Sequence, residues 1–274
     1  VSLDARPPAR VFVSQDQLLE VAVDLARDAG ALLLERFDGG HERALASKST
    51  PTDLVSEADL ASERLIRERL SQARPTDGIL GEEGGVSEGT SGLTWIVDPL
   101  DGTVNFLFGI PQWCVSVAVA DEAGSLVGAI YDPCREELFT ATRDGEACLN
   151  GAPIAASGRV PRASSGLSAA MVATGFAYDS SVRSAQAEVL ARLIPQVRDI
   201  RRFGSAALDL AWTACGRYDA YYERTTKPWD IAAGTLVCER VGHTVMELLE
   251  RPGLPKGVLA GAPGIAEELF ELVS

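Results

Sequence analysis

The stretch Trp95-Ile96-Val97-Asp98-Pro99-Leu100-Asp101-Gly102-Thr103-Val104-Asn105-Phe106 constrains this chain more than any other. Its apolar start reads as a short buried strand, and two carboxylates then follow across a proline. Pro99 fixes one backbone dihedral, so both Asp side chains are aimed before any ligand arrives. Gly102 lets the backbone approach a ligand closely, and an N–H just beyond it is a natural donor to phosphate. Two acids, a rigid turn and an anion cradle point to a divalent metal holding a phosphate.

The chain before this turn predicts two helices and a strand. Ser14 to Phe37 carries a Ser14–Gln17 capping box and an apolar stripe at Leu18, Leu25, Leu32 and Leu33, and Asp38-Gly39-Gly40 ends it. Residues 1–13 have Arg6, Arg10 and prolines but no continuous apolar run, so a loose arm is expected and not a signal peptide. Residues 46–53 are polar and turn-rich, a loop. A second helix is predicted from Glu57 to Ala73, with an untidy stripe at Ala58, Ala61, Leu65 and Leu70. Asp59 and Glu63 share one face near its start, but a Ser56–Asp59 capping box accounts for Asp59 as readily as a site does. Gly78 to Gly85 reads as a strand entering a glycine-rich loop. In an extended chain Glu82 and Glu83 point opposite ways, so one of them can face a site. Val86 to Leu93 reads as a surface loop.

Beyond the turn, Cys114–Ala120 and Leu126–Tyr131 predict paired strands, and Glu137–Ala141 extends their sheet. The Ser/Gly/Arg-rich segment 156–166 is the expected boundary between an N-terminal half (14–156) and a C-terminal half (157–274). The second half alternates strands and helices in the α/β manner. Strands are expected at Ala169–Thr174, Val197–Phe203, Asp219–Glu223 and Val258–Ala260. Helices are expected at Ser184–Ile194, after Gly204-Ser205, from Trp229-Asp230, and at Ile265–Leu272. Asp230 in that position reads first as an N-cap.

Composition excludes several classes. The net charge of −14 disfavours nonspecific binding to nucleic acid or anionic membranes. No apolar run approaches the ~18 residues of a membrane span. Cys114, Cys134, Cys148, Cys215 and Cys238 are scattered without a C-x-x-C pair, against a disulfide framework or a zinc site. Free, mostly buried thiols suit a reducing cytoplasm, the expected location.

Taken together, these motifs closely resemble the inositol monophosphatase family. Gly81-Glu82-Glu83, the Trp95–Phe106 stretch and Trp229-Asp230-Ile231-Ala232-Ala233-Gly234 carry the likeness. Lys48 to Asp59, Gly204-Ser205-Ala206-Ala207 and Asp219-Ala220-Tyr221-Tyr222-Glu223 support it, in the family's order. The variant is most similar to the bacterial branch. The resemblance implies a layered α-β-α-β-α sandwich of the inositol monophosphatase / fructose-1,6-bisphosphatase type. It also implies phosphate monoester hydrolysis that depends on two or three Mg2+ ions and is inhibited by Li+, in a homodimer. It places metal ligands at Glu82, Asp98, Asp101, Asp230 and the carbonyl of Leu100, and phosphate contacts at Gly102 and Thr103. It places substrate contacts at Asp101, Ala206, Glu223 and Asp230, and pairs Asp59 with Thr103. For Asp59, Glu82 and Asp230 this favours a site over a helix cap or a chance acid.

The chemistry agrees with that ligand set. Mg2+ takes hard oxygen ligands, keeps waters and shares substrate phosphate. Asp98, on the rigid strand end, is expected to bridge two ions, with Glu82 and Asp101 flanking it. Thr103, oriented by Asp59, would hold the attacking water beside Glu82, and in-line attack would invert phosphorus. Neither His41 nor His243 matches a motif. The expected substrate is inositol 1-phosphate, because a carboxylate at Glu223 accepts ring hydroxyls. Fructose 1,6-bisphosphate, histidinol phosphate, NADP and 3′-phosphoadenosine phosphate are the alternatives within the superfamily. Arg224 and Lys227 are read either as a second anion subsite or as solvated charges. A transcription- or ribosome-associated interaction role is the alternative of another class. After Gly234 the chain departs from the family pattern, which puts the last strand in question.

Overall fold

Helix α1 (Gln15–Asp38) begins as its sequence dictates. Ser14 Oγ accepts the Gln17 N–H at 3.2 Å and Gln17 Oε1 accepts the Ser14 N–H at 3.1 Å, closing the capping box. Leu18, Leu25 and Leu33 on its stripe are buried. The computed structural model describes residues 13–38, 45–47, 54–154 and 166–274. The expectations for residues 1–12, for the Gly39-Gly40 stop, for His41, for the loop at 48–53 and for the boundary at 156–165 lie outside the described residues.

A small ladder, β1 (Leu45–Ser47) with β2 (Leu54–Ser56), leads into α2 (Glu57–Ala73). The larger sheet is built from β3 (Gly78–Gly81), β4 (Gly85–Ser87), β5 (Thr94–Asp101), β6 (Cys114–Asp121), β7 (Gly124–Asp132), β8 (Glu137–Thr142), β9 (Cys148–Leu149) and β10 (Ala152–Pro153). Its order is β10-β9-β8-β7-β6-β5-β3-β4, antiparallel except where β3 runs parallel to β5. The short helix α3 (Thr103–Phe108) follows β5 directly. The smaller sheet takes the order β12-β11-β13-β15-β14, from β11 (Met171–Thr174), β12 (Asp199–Arg201), β13 (Ala220–Arg224), β14 (Thr244–Leu248) and β15 (Gly257–Gly261). Helices α4 (Ser180–Leu193), α5 (Ala206–Ala214), α6 (Pro228–Arg240) and α7 (Ile265–Val273) complete the chain.

Side-chain parity assigns the layers. On β6, Val115, Val117 and Val119 pack with α1 and α2, while Cys114 and Ala118 face α5 and α6. On β13, Tyr221 joins the middle layer, whereas Ala220 and Tyr222 pack outward with α4 and α7. Both sheets are therefore covered on both faces, and the molecule is an α-β-α-β-α sandwich, as expected. Helix α5 is buried along its whole length because it lies between the sheets. Helix α6 rests directly on β7 at Gly128, where a Cβ would stand 2.9 Å from the Ala233 Cα. Among the described residues no helix is long and apolar enough to cross a membrane.

Several local expectations need correction. β5 runs on through Pro99 to Asp101, and its pairing with β6 shifts register between Asp98 and Asp101. Such an irregularity tolerates a proline that has no N–H to give, and it re-aims side chains. Part of the expected loop at 86–93 belongs to β4. Glu82 and Glu83 lie in the turn between β3 and β4 and not in extended chain. Helix α4 starts earlier than Ser184 because Asp179 caps it, accepting the N–H groups of Ser181 (2.8 Å) and Val182 (3.2 Å). The segment after Gly234 forms regular strands, with β14 pairing antiparallel to β15. His243 is buried, and burial lowers its pKa to about 4, so the ring is neutral at physiological pH. Among the described residues no cysteine is in a disulfide, and Cys114, Cys215 and Cys238 are buried.

Candidate active site

The untidy stripe of α2 has a structural reason: part of its buried face is polar. Asp59, Ser62 and Glu63 are 0%, 0% and 3% exposed, and at helical spacing they share one side. Asp59 Oδ1 accepts the Thr103 hydroxyl at 2.8 Å. Ser62 Oγ donates to the Pro99 carbonyl at 2.8 Å. Glu63 accepts the N–H groups of Glu83 (2.7 Å) and Gly84 (2.8 Å), and Arg67 Nε pairs with it at 2.6 Å. One helix thus clamps both the end of β5 and the turn that carries Glu82. Sequence reading singled out Asp59 and missed Ser62. It noted Glu63 on the same face as Asp59 without giving it a role.

The acids converge from both sheets. Asp98, 2% exposed, accepts the Leu100 N–H on Oδ1 at 3.1 Å. Burial, and then the charges of Glu82, Asp101 and Asp230, push its carboxyl well above the usual range. Asp230 is raised for the same reasons, by burial first and then by Asp101, Glu82 and Glu223. Its Oδ2 also accepts the Lys227 N–H at 2.7 Å, so it caps α6 while facing the cluster. The N-cap position expected for Asp230 belongs to Lys227, and Asp230 stands at the third helical residue, where its carboxylate closes the capping box from inside the helix.

Asp101 joins the end of β5 to the start of α5. Its Oδ2 accepts the Ser205 hydroxyl and the Ala207 N–H, both at 2.7 Å, at the N-terminus of α5. The Ala206 N–H adds to these, and burial outweighs them all to raise Asp101 to about 6. Ala206 thus meets Asp101 directly. Asn105 Nδ2 ties the loop after α3 to the second half through the Phe203 carbonyl at 2.6 Å. Gly102 heads α3 with φ 101°, and a Cβ there would stand 2.8 Å from the Gln112 carbonyl. The Thr103 hydroxyl has a second acceptor, the Leu100 carbonyl at 3.1 Å, and its single hydrogen serves one at a time.

Glu223 stands half-buried on the middle-layer face of β13. Burial raises it to about 7, against the Tyr221 hydrogen bond and the Arg202 charge that lower it. Arg224 points the other way, as strand alternation requires. It is 2% exposed and donates to the carbonyls of Leu249, Pro255 and Val273 at 2.8–2.9 Å. It is neither a subsite residue nor a solvated charge. Lys227 is exposed at the start of α6.

The donor set suits Mg2+. It is carboxylate and carbonyl oxygen throughout, and buried acids that repel one another gain most from a hard cation. Among the described residues no three His, Cys, Asp or Glu side chains close into a ready-made cage. An ion that keeps several waters and leans on substrate phosphate needs no such cage, whereas structural zinc does.

A sequence model of the inositol monophosphatase family matches residues 14–274. The Mycobacterium tuberculosis protein named inositol-1-monophosphatase SuhB is 41% identical over 271 residues, covering 93% of this chain and 92% of its own. A Xylella fastidiosa protein named Nus factor SuhB is 41% identical over 234 residues, 85% and 82% of the two chains. The crystal structure of extragenic suppressor protein suhB from Bartonella henselae superposes with a TM-score of 0.84 at 34% identity, over 94% of this chain and 98% of that one.

Proposed function

The chain belongs to the inositol monophosphatase family, and on that premise we propose that it is a Mg2+-dependent phosphomonoesterase hydrolysing inositol 1-phosphate. The observation that carries this reading is that buried Asp98 and Asp101 and half-buried Glu82 and Asp230 lie near enough for their charges to raise the carboxyls of Asp98 and Asp230, with the Thr103 hydroxyl on the Leu100 carbonyl beside them. Those four acids and the Leu100 carbonyl would hold two or three Mg2+ ions, with Asp98 as the shared ligand. The bound ions supply Lewis acidity, activating a water and neutralising the leaving alkoxide. The Thr103 hydroxyl donates to Asp59, which leaves an Oγ1 lone pair to accept a hydrogen bond from the attacking water and hold it beside Glu82. The N–H groups of Gly102 and Thr103 at the head of α3 hold the phosphate. Glu223 accepts a ring hydroxyl and, as an anion, disfavours a second phosphate.

Arg224 is committed to carbonyls on the far side of its sheet, which removes one argument for a bisphosphate substrate. A turnover panel with Mg2+ tests the substrate. Inositol 1-phosphate should be cleaved at least about tenfold faster than fructose 1,6-bisphosphate or histidinol phosphate, the ratio expected when one ring contact is worth ~1.4 kcal/mol. Added Li+ should suppress the activity. Faster cleavage of either competitor would sink the assignment.

We further propose a homodimer. Phe108 (71% exposed), Ile110 (49%) and Phe203 (38%) present apolar surface on segments that Asn105 ties together. Light scattering should give twice the 29.0 kDa chain mass, and Phe108→Asp should shift it toward the monomer. A monomeric native protein would refute this.

A further inference from the structure

The strand that carries Glu223 also carries the group that sets its direction. Tyr221 and Glu223 are two apart on β13, so both face the middle layer. Tyr221 is 0% exposed, and its hydroxyl donates to Glu223 Oε2 at 2.9 Å. Gly175, just past β11, lies against both carboxylate oxygens. A Cβ there would stand 1.9 Å from Oε2 and 2.3 Å from Oε1. The carboxylate is therefore seated in a slot that only glycine leaves open, with Oε2 taken by a buried phenol. A half-buried glutamate with three side-chain torsions would otherwise sample several rotamers, and fixing it in advance removes that cost from binding. The phenol stays protonated, since burial and the Glu223 charge push its pKa well above the ordinary value.

We propose that Tyr221 is a positioning residue for substrate selection: with Gly175 it seats Glu223 so that Oε1 meets a ring hydroxyl. This rests on the reading that Glu223 contacts substrate. Arg202, exposed beside the start of α5, folds its guanidinium over Gly204, and its charge acts on this carboxylate. The charged and titratable groups that face Glu223 are Tyr221 on β13, Asp209 on α5, Arg202 before α5, Asp101 at the end of β5 and Asp230 on α6.

The test uses the full-length, Mg2+-loaded enzyme with two substrates. One is inositol 1-phosphate. The other is p-nitrophenyl phosphate, which has no ring hydroxyl. Tyr221→Phe should raise KM for inositol 1-phosphate about tenfold, the loss expected when one hydrogen bond to a charged group is removed. Its kcat should hold within about twofold, and p-nitrophenyl phosphate should be affected less than about twofold on both constants. The carboxylate is the accepting form, and the Tyr221 hydrogen bond holds its pKa down, so the pH dependence of KM for inositol 1-phosphate should shift upward in Tyr221→Phe. In a Glu223→Gln background the Tyr221→Phe substitution should change nothing further. Gly175→Ala, which displaces the carboxylate with Tyr221 intact, should reproduce the KM rise. If Glu223→Gln raises KM but Tyr221→Phe and Gly175→Ala do not, the positioning role is overturned. Equal losses on both substrates would mean a merely structural role and overturn it too. If Glu223→Gln leaves KM unchanged, the contact between Glu223 and substrate is what fails.

Discussion

Asp98→Asn should reduce turnover of inositol 1-phosphate by about a thousandfold or more while leaving the fold intact. Asn is isosteric and keeps an oxygen to accept the Leu100 N–H, which Asp98 holds at 3.1 Å. What it removes is the charge. In the metal-free protein that charge is a liability, because the side chain is buried and its carboxyl is pushed up by Glu82, Asp101 and Asp230. The melting temperature without Mg2+ should therefore stay level or rise. With Mg2+ the order reverses, because the native protein gains ligand-linked stability that the variant largely lacks. A loss of about a thousandfold corresponds to roughly 4 kcal/mol of transition-state stabilisation, within reach of a lost metal bridge. Paired thermal melts and initial rates, with and without Mg2+, read both signs. Turnover within tenfold of the native value would refute Asp98 as the shared ligand. A pure interaction role would survive this substitution.

Arg224→Met should cost about 3 kcal/mol or more of folding stability and leave substrate preference unchanged. The guanidinium donates to the Leu249, Pro255 and Val273 carbonyls, which belong to the connection between β14 and β15 and to the end of α7. Methionine fills similar volume but leaves one buried acceptor, the Val273 carbonyl, and two partly buried ones without their donor, and a buried unpaired group costs about 1–3 kcal/mol. Denaturant unfolding measures the loss. A change below about 1 kcal/mol would show that water replaces the arginine readily. A changed ranking in the substrate panel would instead return Arg224 to the site. The prediction separates the two faces of β13, where adjacent residues serve unrelated purposes.

What could be read in advance follows the locality of each signal. Asp98, Asp101 and Gly102 sit in one short segment, so proline, glycine and carboxylate chemistry could be read directly. Glu82 and Asp230 lie far apart in sequence, and only the motifs around them pointed to a shared site. Glu63 and Ser62 act because α2 crosses beneath the ends of β3 and β5, a relation that no periodicity expresses. Their polarity instead weakened the helix stripe, so the functional face registered as noise. The start of α4 was missed although Asp179 is an ordinary cap, because the apolar pattern that marked the helix begins a turn later. The opposite directions of Glu223 and Arg224 follow from strand parity alone. Which direction holds the site did not, since β13 is buried on both sides.

Asp101 gives the architecture a reciprocity. One oxygen of this carboxylate anchors the start of α5 through Ser205 and Ala207, while the residue itself belongs to the acid cluster of the larger sheet. The alignment of the second half and the charge environment of the first are therefore written on a single side chain. By linkage, whatever factor a cation contributes to the seating of α5, that seating returns to the cation's affinity. A substitution anywhere along α5 that tilts its first turn would then register as weaker metal binding, although the altered residue touches no ligand.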